Sequence, residues 1–484
     1  MSLPESRDRY TAISYCAGDP QKTRELRIDG KSFNAFANLA HAIEETYRHC
    51  RGTSGNEEPM IWADQICINQ SDLLERSHQV SFMQKVYENA CAVTVCLSTD
   101  EMRGGSAIPW MKEAYAKIPQ SRLSHQQVGL PERDCPFKSW YLSLLADEGL
   151  EHIWKDVLQV FEQPWWTRVC QEYLAARDTT FIYGGHSVCE VVFMDVAFGL
   201  LDSRNNIFSF MQERDKLPDR FTTTAMYQWL CQIYDSLQFF RRYKVRPALL
   251  LDFKIRYLKD PLRHGQLPGL LCYSSARKAS DRRDYVYAFL SLANKDYGIK
   301  VVYSPRTTYE YVCIETARKI IEQDGLDVLY LKGFSYNKSL PSWVPDWSST
   351  HKNGVIHHLL YTDAPRWRGD TTNTVFVEDG RILEISGLIV DTLEHLSHER
   401  AKQYGYECSL NRRRYKVETS NEAQVGDQVW LLYGAKGPFV LRPTGSSFKL
   451  IDNASVQDEV GGSGIWTQHY TALKQQTPRR IRII

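Results

Sequence analysis

The hydrophobic positions change rhythm several times along the chain, and each change predicts an element. YTAISY, from residue 10, is an apolar run of strand length stopped by the turn residues AGDP. Phe33, Phe36, Ala37, Leu39, Ala40, Ile43 and Tyr47 then recur at three- and four-residue spacing, which predicts an amphipathic helix over 32–49. After the polar loop RGTSGNEEP, the run MIWADQICI predicts a second strand. Asp72 is a good N-cap, and Glu75 is spaced to reach back to the cap's amide, so a helix is expected to begin at Leu73. Val80, Met83, Val86, Tyr87 and Ala90 form its apolar face, and CAVTVCLS follows as a β-branched run. Strand, helix, strand predicts a βαβ unit with a parallel sheet.

The alternation breaks over 100–150, where GGSAIP and SRLSHQQ mark an insertion. HIWKDVLQVFEQ and PWWTRVCQEYLAARD then have helical patterns, and TTFIYGG reads as a strand ending in a glycine turn. Residues 1–190 are expected to form one α/β domain. The stretch 191–365 is mainly helical in pattern, with AMYQWLCQIYDSLQFF and TTYEYVCIETARKIIEQDG as its clearest segments. LPSWVPDWSS interrupts it, and its prolines and tryptophans predict a tethered linker or corner. Over 366–484 the runs NTVFVED, RILEISGLIVDTLEHL, DQVWLLYG, PFVLRP and SFKLID predict a small antiparallel β module. The basic end TPRRIRII reads as a solvated or strand-pairing tail rather than a nucleic-acid arm.

Composition narrows the classes. A chain of 484 residues with 43% hydrophobic and 24% charged residues is that of a globular protein with two to four domains, not a disordered or collagenous one. Lys plus Arg number 59 against 58 Asp plus Glu, so no global field recruits nucleic acid or a membrane surface. The 12 cysteines show no repeated CxxC spacing, which argues against a zinc site and a disulfide framework alike. The polar start MSLPESRDRY and the lack of a long apolar run predict a reduced, soluble, cytoplasmic protein.

Candidate chemistry falls in three polar clusters at strand ends or helix starts, where sites in open α/β sheets form. Ser14, Tyr15 and Asp19 follow the first strand. Asp64, Cys67, Asn69 and Gln70 surround the second. Arg168, Gln171 and Glu172 lie behind PWWTR. Each has a plainer reading beside the functional one. Arg168 and Glu172 at i and i+4 make an ordinary helix-surface ion pair. Asn69 and Gln70 suit the capping of a turn. Cys67 and Cys170 suit buried fillers, since no histidine accompanies either in its block. There is no GxGxxG and no Walker-type loop to cradle phosphate.

YTAISYCAGDP, IWADQICINQSDLLERSHQVSFMQKVYENACAVTVCL and WWTRVCQE together resemble the three blocks of the fungal heterokaryon-incompatibility (HET) domain. RKASDRRDYVYAFLSLA, LPSWVPDWS and GDQVWLLYGAKGPFVLRP look like the body of the same proteins, so the resemblance covers roughly residues 10–450. It implies a role in fungal non-self recognition and cell death. Through the distant likeness of HET domains to Toll/interleukin-receptor (TIR) domains it also implies a flavodoxin-like α/β fold and cleavage of NAD at the nicotinamide bond. On that likeness Glu172 is the expected catalytic carboxylate, with Asp64 as a second. Ser14, Tyr15, Asp19, Cys67, Asn69, Gln70, Arg168 and Gln171 are expected to bind substrate. NAD would then be a substrate, with no resident cofactor and no metal, and the chain would form homo-oligomers.

The first block departs from the family pattern SYxWG, because Cys16, Ala17 and Gly18 give SYCAG with no tryptophan. The third block has Val169 or Cys170 where a tryptophan is usual. Two further readings therefore stand beside NAD cleavage. One is an enzyme recruited to fungal secondary metabolism, acting on a small organic substrate by acid–base chemistry from Glu172 or Asp64. The other is a non-catalytic protein that signals by self-association.

Overall fold

The computed structural model describes residues 6–53, 58–99, 105–117, 151–168, 171–201, 228, 246–274, 277–331, 337, 339–349, 366–367, 374–401, 405–410, 413–419, 422–457 and 477–484. The chain divides into two compact units, Met1–Pro261 and Leu262–Ile484.

The first unit is built on a sheet whose order is β4, β1, β5, β6, β7. These strands are Ile61–Trp62, Thr11–Tyr15, Ala92–Cys96, Thr179–Tyr183 and His186–Cys189 respectively. The first four run parallel, and β7 folds back antiparallel on β6 through Gly184 and Gly185, both at positive φ. β1 is buried at all five positions because it lies inside the sheet with both faces covered. The chain leaves β1 for β4 on one side, then returns through the helix Leu73–Asn89 to β5 on the other. That reversal opens a crevice at the carboxyl ends of β1 and β5, the position where open α/β sheets bind ligands.

Several local expectations hold for the reasons given. The helix does begin at Leu73, with Asp72 Oδ1 accepting from the amides of Leu74 and Glu75 at 2.9 and 3.1 Å. Glu75 does not return to the cap's amide, however. Its carboxylate accepts instead from the amide of Asn69 at 2.9 Å and so ties the preceding loop to the helix.

Three expectations are corrected. Residues 32–36 are strand, not helix: Lys31–Phe36 (β3) pairs with Thr23–Ile28 (β2), and the helix (α1) is Ala37–Thr53. Asp29 and Gly30, at φ 50° and 77°, make the two-residue turn that such a hairpin requires. The second strand stops at Trp62, because Asp64–Cys67 turns into one short helix. PWWTRVCQEYLAARD is not continuous helix either. Pro164–Thr167 is a single 3-10 turn opened by its proline, Arg168 is extended at φ −80°, ψ 162°, and a separate helix covers Gln171–Ala175.

The expected insertion begins with a helix, Ala107–Ala116, whose Ala107, Ile108 and Met111 are fully buried, and residues 118–150 lie outside the described residues. Residues 225–240, expected to be helical, also lie outside them apart from 228. Glu190–Leu201 and Arg246–Lys259 are helices of the first unit. Lys254 on the second is buried. Its Nζ donates to Thr179 Oγ1 at 3.2 Å and Glu190 Oε2 at 3.0 Å, and sits 4.1 Å from the centre of the Tyr173 ring.

In the second unit the helix Tyr309–Asp324 is capped by Thr308 and stopped by Gly325 at φ 83°. LPSWVPDWSS is a corner: Trp343 and Trp347 are fully buried, and Asp346 accepts from Tyr309 Oη at 2.8 Å. The β module is a sheet of nine strands among the described residues. Strands β12 (Gln428–Leu432), β13 (Phe439–Thr444), β14 (Ser447–Asn453), β16 (Arg479–Ile483) and β9 (Ile382–Ala401) follow one another. β9 also pairs with β12, so these strands close into a barrel. The module is therefore not purely antiparallel, since the basic end enters as β16, parallel to β14 and antiparallel to β9. Closure needs Gly387: a Cβ there would stand 2.9 Å from the Leu431 carbonyl oxygen.

Candidate functional site

The crevice at the carboxyl ends of β1, β4 and β5 is organised from β1 outward. Ser14 is fully buried, and its Oγ accepts a hydrogen bond from the indole Nε1 of Trp165 at 2.8 Å. The next carbonyl, that of Tyr15, accepts from the guanidinium of Arg168. Two residues three apart, Trp165 in the 3-10 turn and Arg168 just after it, are thus pinned onto consecutive residues of β1. Trp165 and Trp166 are buried in an aromatic cluster with Tyr173, Phe181 and Phe193. That packing holds the turn rigid and leaves neither tryptophan to stack on a ligand.

Tyr15 reaches across to the other side of the crevice, where its hydroxyl donates to Asp64 Oδ1 at 3.2 Å. Burial pushes the Tyr15 phenol well above its ordinary value, and the adjacent Asp64 carboxylate adds to this against the opposing Arg168. The tyrosine is therefore a fixed neutral donor throughout the physiological range. Asp64 opens its short helix, and its Oδ1 also accepts from the Gln65 amide at 2.7 Å. The Gln70 side chain closes the loop by donating from Nε2 to the Asp64 carbonyl at 3.1 Å. The Gln65 side chain takes the Phe36 amide at 3.2 Å, joining this loop to the start of α1.

Residues 10–172 match the family model described as Heterokaryon incompatibility protein (HET). This stretch is thus similar to a HET domain. Heterokaryon incompatibility protein 6, OR allele, of Neurospora crassa is 28% identical over 381 residues, which are 70% of this chain and 53% of that protein. The chain thus spans about half the length of that curated relative. No solved structure matches it.

Of the ten residues singled out in the sequence, the fold of this stretch brings Ser14, Tyr15, Asp64, Gln70 and Arg168 into one connected network. Asp19 and Asn69 stand outside it in exposed turns, where Asp19 accepts from the Gln21 amide at 3.0 Å and Asn69 Oδ1 from the Ser71 amide at 3.2 Å. For Asn69 the capping role is the one observed. Cys67 is exposed rather than a buried filler, because its helix ends at the surface. Gln171 and Glu172 belong to the helix Gln171–Ala175, and their side chains, with Val169 and Cys170, lie outside the described residues. The expected placement of Arg168 and Glu172 on one helix is corrected, while the ion pair itself lies outside the described residues. Arg168 precedes that helix in extended backbone, and its guanidinium is turned to β1.

Sequence reasoning missed the floor of the crevice. His41 on α1 and Ser98, two residues beyond β5, are both buried, with Nε2 and Oγ 3.0 Å apart. Asn38, one turn earlier on α1, donates to the Cys16 carbonyl at 3.0 Å. Burial pushes the neighbouring Cys96 thiol up to about 12, which keeps it protonated and unreactive. The spacing of Asn38 and His41 along the helix was a legible signal, but Ser98 is 57 residues away. Among the described residues no cluster of His, Cys, Asp or Glu side chains could hold a metal ion, and no helix is long and apolar enough to cross a membrane.

Proposed function

We propose that the HET domain hydrolyses NAD, releasing nicotinamide and ADP-ribose, as the enzymatic step of a fungal non-self response. The observation that carries this reading is the Tyr15–Asp64 pair at the strand-order reversal, with Arg168 bound to the Tyr15 carbonyl. The parallel order β4, β1, β5, β6, which is second, first, third and fourth among the parallel strands, is that of flavodoxin-like sheets. These bind nucleotides at this reversal.

The reaction asks little of the protein beyond placed charge. Nicotinamide is a cationic leaving group and departs neutral without a general acid. The ribose passes through an oxocarbenium-like state that a carboxylate stabilises, and water completes the substitution with loss of one proton. In this proposal Glu172 supplies that carboxylate. Asp64, oriented by Tyr15, accepts a ribose hydroxyl, and the Arg168 clamp fixes the approach of the Glu172 helix to β1.

Nicotinamide release by purified protein, measured beside Glu172→Gln at matched folding and over a concentration series, tests the reading. Turnover by the wild type alone supports it. Absence of turnover in both, with folding intact, rejects it. A self-associating scaffold is the second reading, favoured by Leu74, 83% exposed beside Leu73 at the start of its helix. Leu74→Lys would then abolish concentration-dependent association and leave any NAD turnover of dilute protein unchanged.

A further inference from the structure

The end of the sheet opposite the crevice holds two thiols around one hydroxyl. Thr11, the first residue of β1, places its Oγ1 3.7 Å from the Cys50 Sγ and 3.8 Å from the Cys91 Sγ. Cys50 is buried near the end of α1, and Cys91 is exposed immediately before β5. The Cys91 thiol also donates to the Tyr10 carbonyl at 3.1 Å. α1 therefore spans the sheet from the His41–Ser98 contact at one end of β5 to the Cys50–Cys91 pair at the other.

We propose that Cys50 and Cys91 are a peroxide-reactive modification site that closes into a reversible disulfide, stapling α1 to β5. Hydrogen peroxide oxidises the exposed Cys91 thiol to a sulfenic acid and is itself reduced to water. The Cys50 sulfur then attacks the Cys91 sulfur, the S–S bond forms, and a second water leaves with the Cys50 proton. Both sulfurs lie against the same Thr11 oxygen, and in this proposal rotation of the two side chains closes the remaining gap across it. The division of labour follows from access: the exposed Cys91 meets the oxidant, while the buried Cys50, beside the same Thr11 hydroxyl, resolves the intermediate. A thiol reductant reverses the step. Because the staple joins α1, which carries His41, to β5, which leads into Ser98, it couples cellular oxidant to the stiffness of the His41–Ser98 contact.

The test is peroxide treatment of the whole folded protein, followed by non-reducing peptide mapping. The expected product is a Cys50–Cys91 cross-linked peptide about 2 Da lighter than its two parts, reversed by dithiothreitol. It forms before any adduct at the exposed Cys67 or Cys189. In Cys50→Ser, Cys91 accumulates as a sulfenic acid that dimedone traps; in Cys91→Ser, Cys50 stays reduced. Iodoacetamide labelling of the untouched wild type guards against misfolded variants, with Cys91 expected to alkylate and Cys50 not. Oxidation of Cys67 and Cys189 with no 50–91 cross-link, or a cross-link seen only in heat-unfolded protein, overturns the proposal.

Discussion

The indole of Trp165 donates to the Oγ of Ser14 at 2.8 Å, joining residues 151 apart in the chain and tying the PWWTR turn to the first strand. The tryptophan is fully buried against Trp166, Tyr173 and Phe181, so it acts through both its hydrogen bond and its volume. Trp165→Phe should lower unfolding stability by about 2–4 kcal/mol, and Ser14→Ala by about 1 kcal/mol. The double variant should fall short of the sum, because the second change removes a bond already lost. Urea unfolding of the four proteins measures this, and strict additivity would show that the bond adds nothing to the packing.

Gly18 stands at φ +79° in the SYCAG block, and a Cβ there would lie 2.5 Å from the Nδ2 of Asn38. Substitution by alanine therefore meets two penalties, a left-handed backbone and displacement of the amide that holds the Cys16 carbonyl. Gly18→Ala should cost about 1–3 kcal/mol, while Gly18→Ala with Asn38→Ala relieves the clash and keeps the backbone strain. If the single variant melts with the wild type, the close approach of loop and helix is wrong.

Tyr15→Phe tests the crossing hydrogen bond to Asp64 without changing the ring. Tyr15 is buried in the cluster with Ile13, Leu39 and Ala63, so the packing survives and only the hydroxyl is lost. The expected loss of stability is about 1.5–3 kcal/mol, the scale of one hydrogen bond to a charged acceptor. If the crevice turns over NAD, the same variant should lower kcat more than it raises KM, since a misoriented Asp64 still permits binding.

Much of this arrangement was legible where the signal is local. The runs that became β1, β5, β6 and β12 to β14 carry their own strand pattern, and Asp72 announces its helix. The β2–β3 hairpin was hidden because Phe33, Phe36 and Ala37 also fit a helical spacing, although Asp29–Gly30 marked the turn. Arg168 was misread for a related reason: PWWTR continues a helical pattern, and only the proline at its head warned of a separate 3-10 turn. Barrel closure between β9 and β12 and the His41–Ser98 contact depend on long-range register, which no window of sequence contains.

Alkali should weaken the first unit once the pH passes the ordinary range of thiols and phenols. Burial first, with Cys91 and Asp8 adding, pushes the Tyr10 phenol to about 12; burial and Asp156 push Tyr183 to about 12; burial takes the Cys96 thiol to about 12 as well. Each folded value lies above the ordinary one, so the fold favours the neutral form. That contribution is fully present below about pH 9 for the thiol and about pH 10 for the phenols, where neither folded nor unfolded chain ionises. It is lost as pH rises through about 12, because the unfolded chain ionises first and draws the equilibrium with it. The urea midpoint should stay level from about pH 7 to 9 and then fall, with the last phenolate absorbance appearing only as near-UV circular dichroism collapses. Tyr10→Phe should flatten part of that slope. A protein whose tyrosines all titrate near pH 10 with the fold intact would contradict the burial described for Tyr10, Tyr15 and Tyr183.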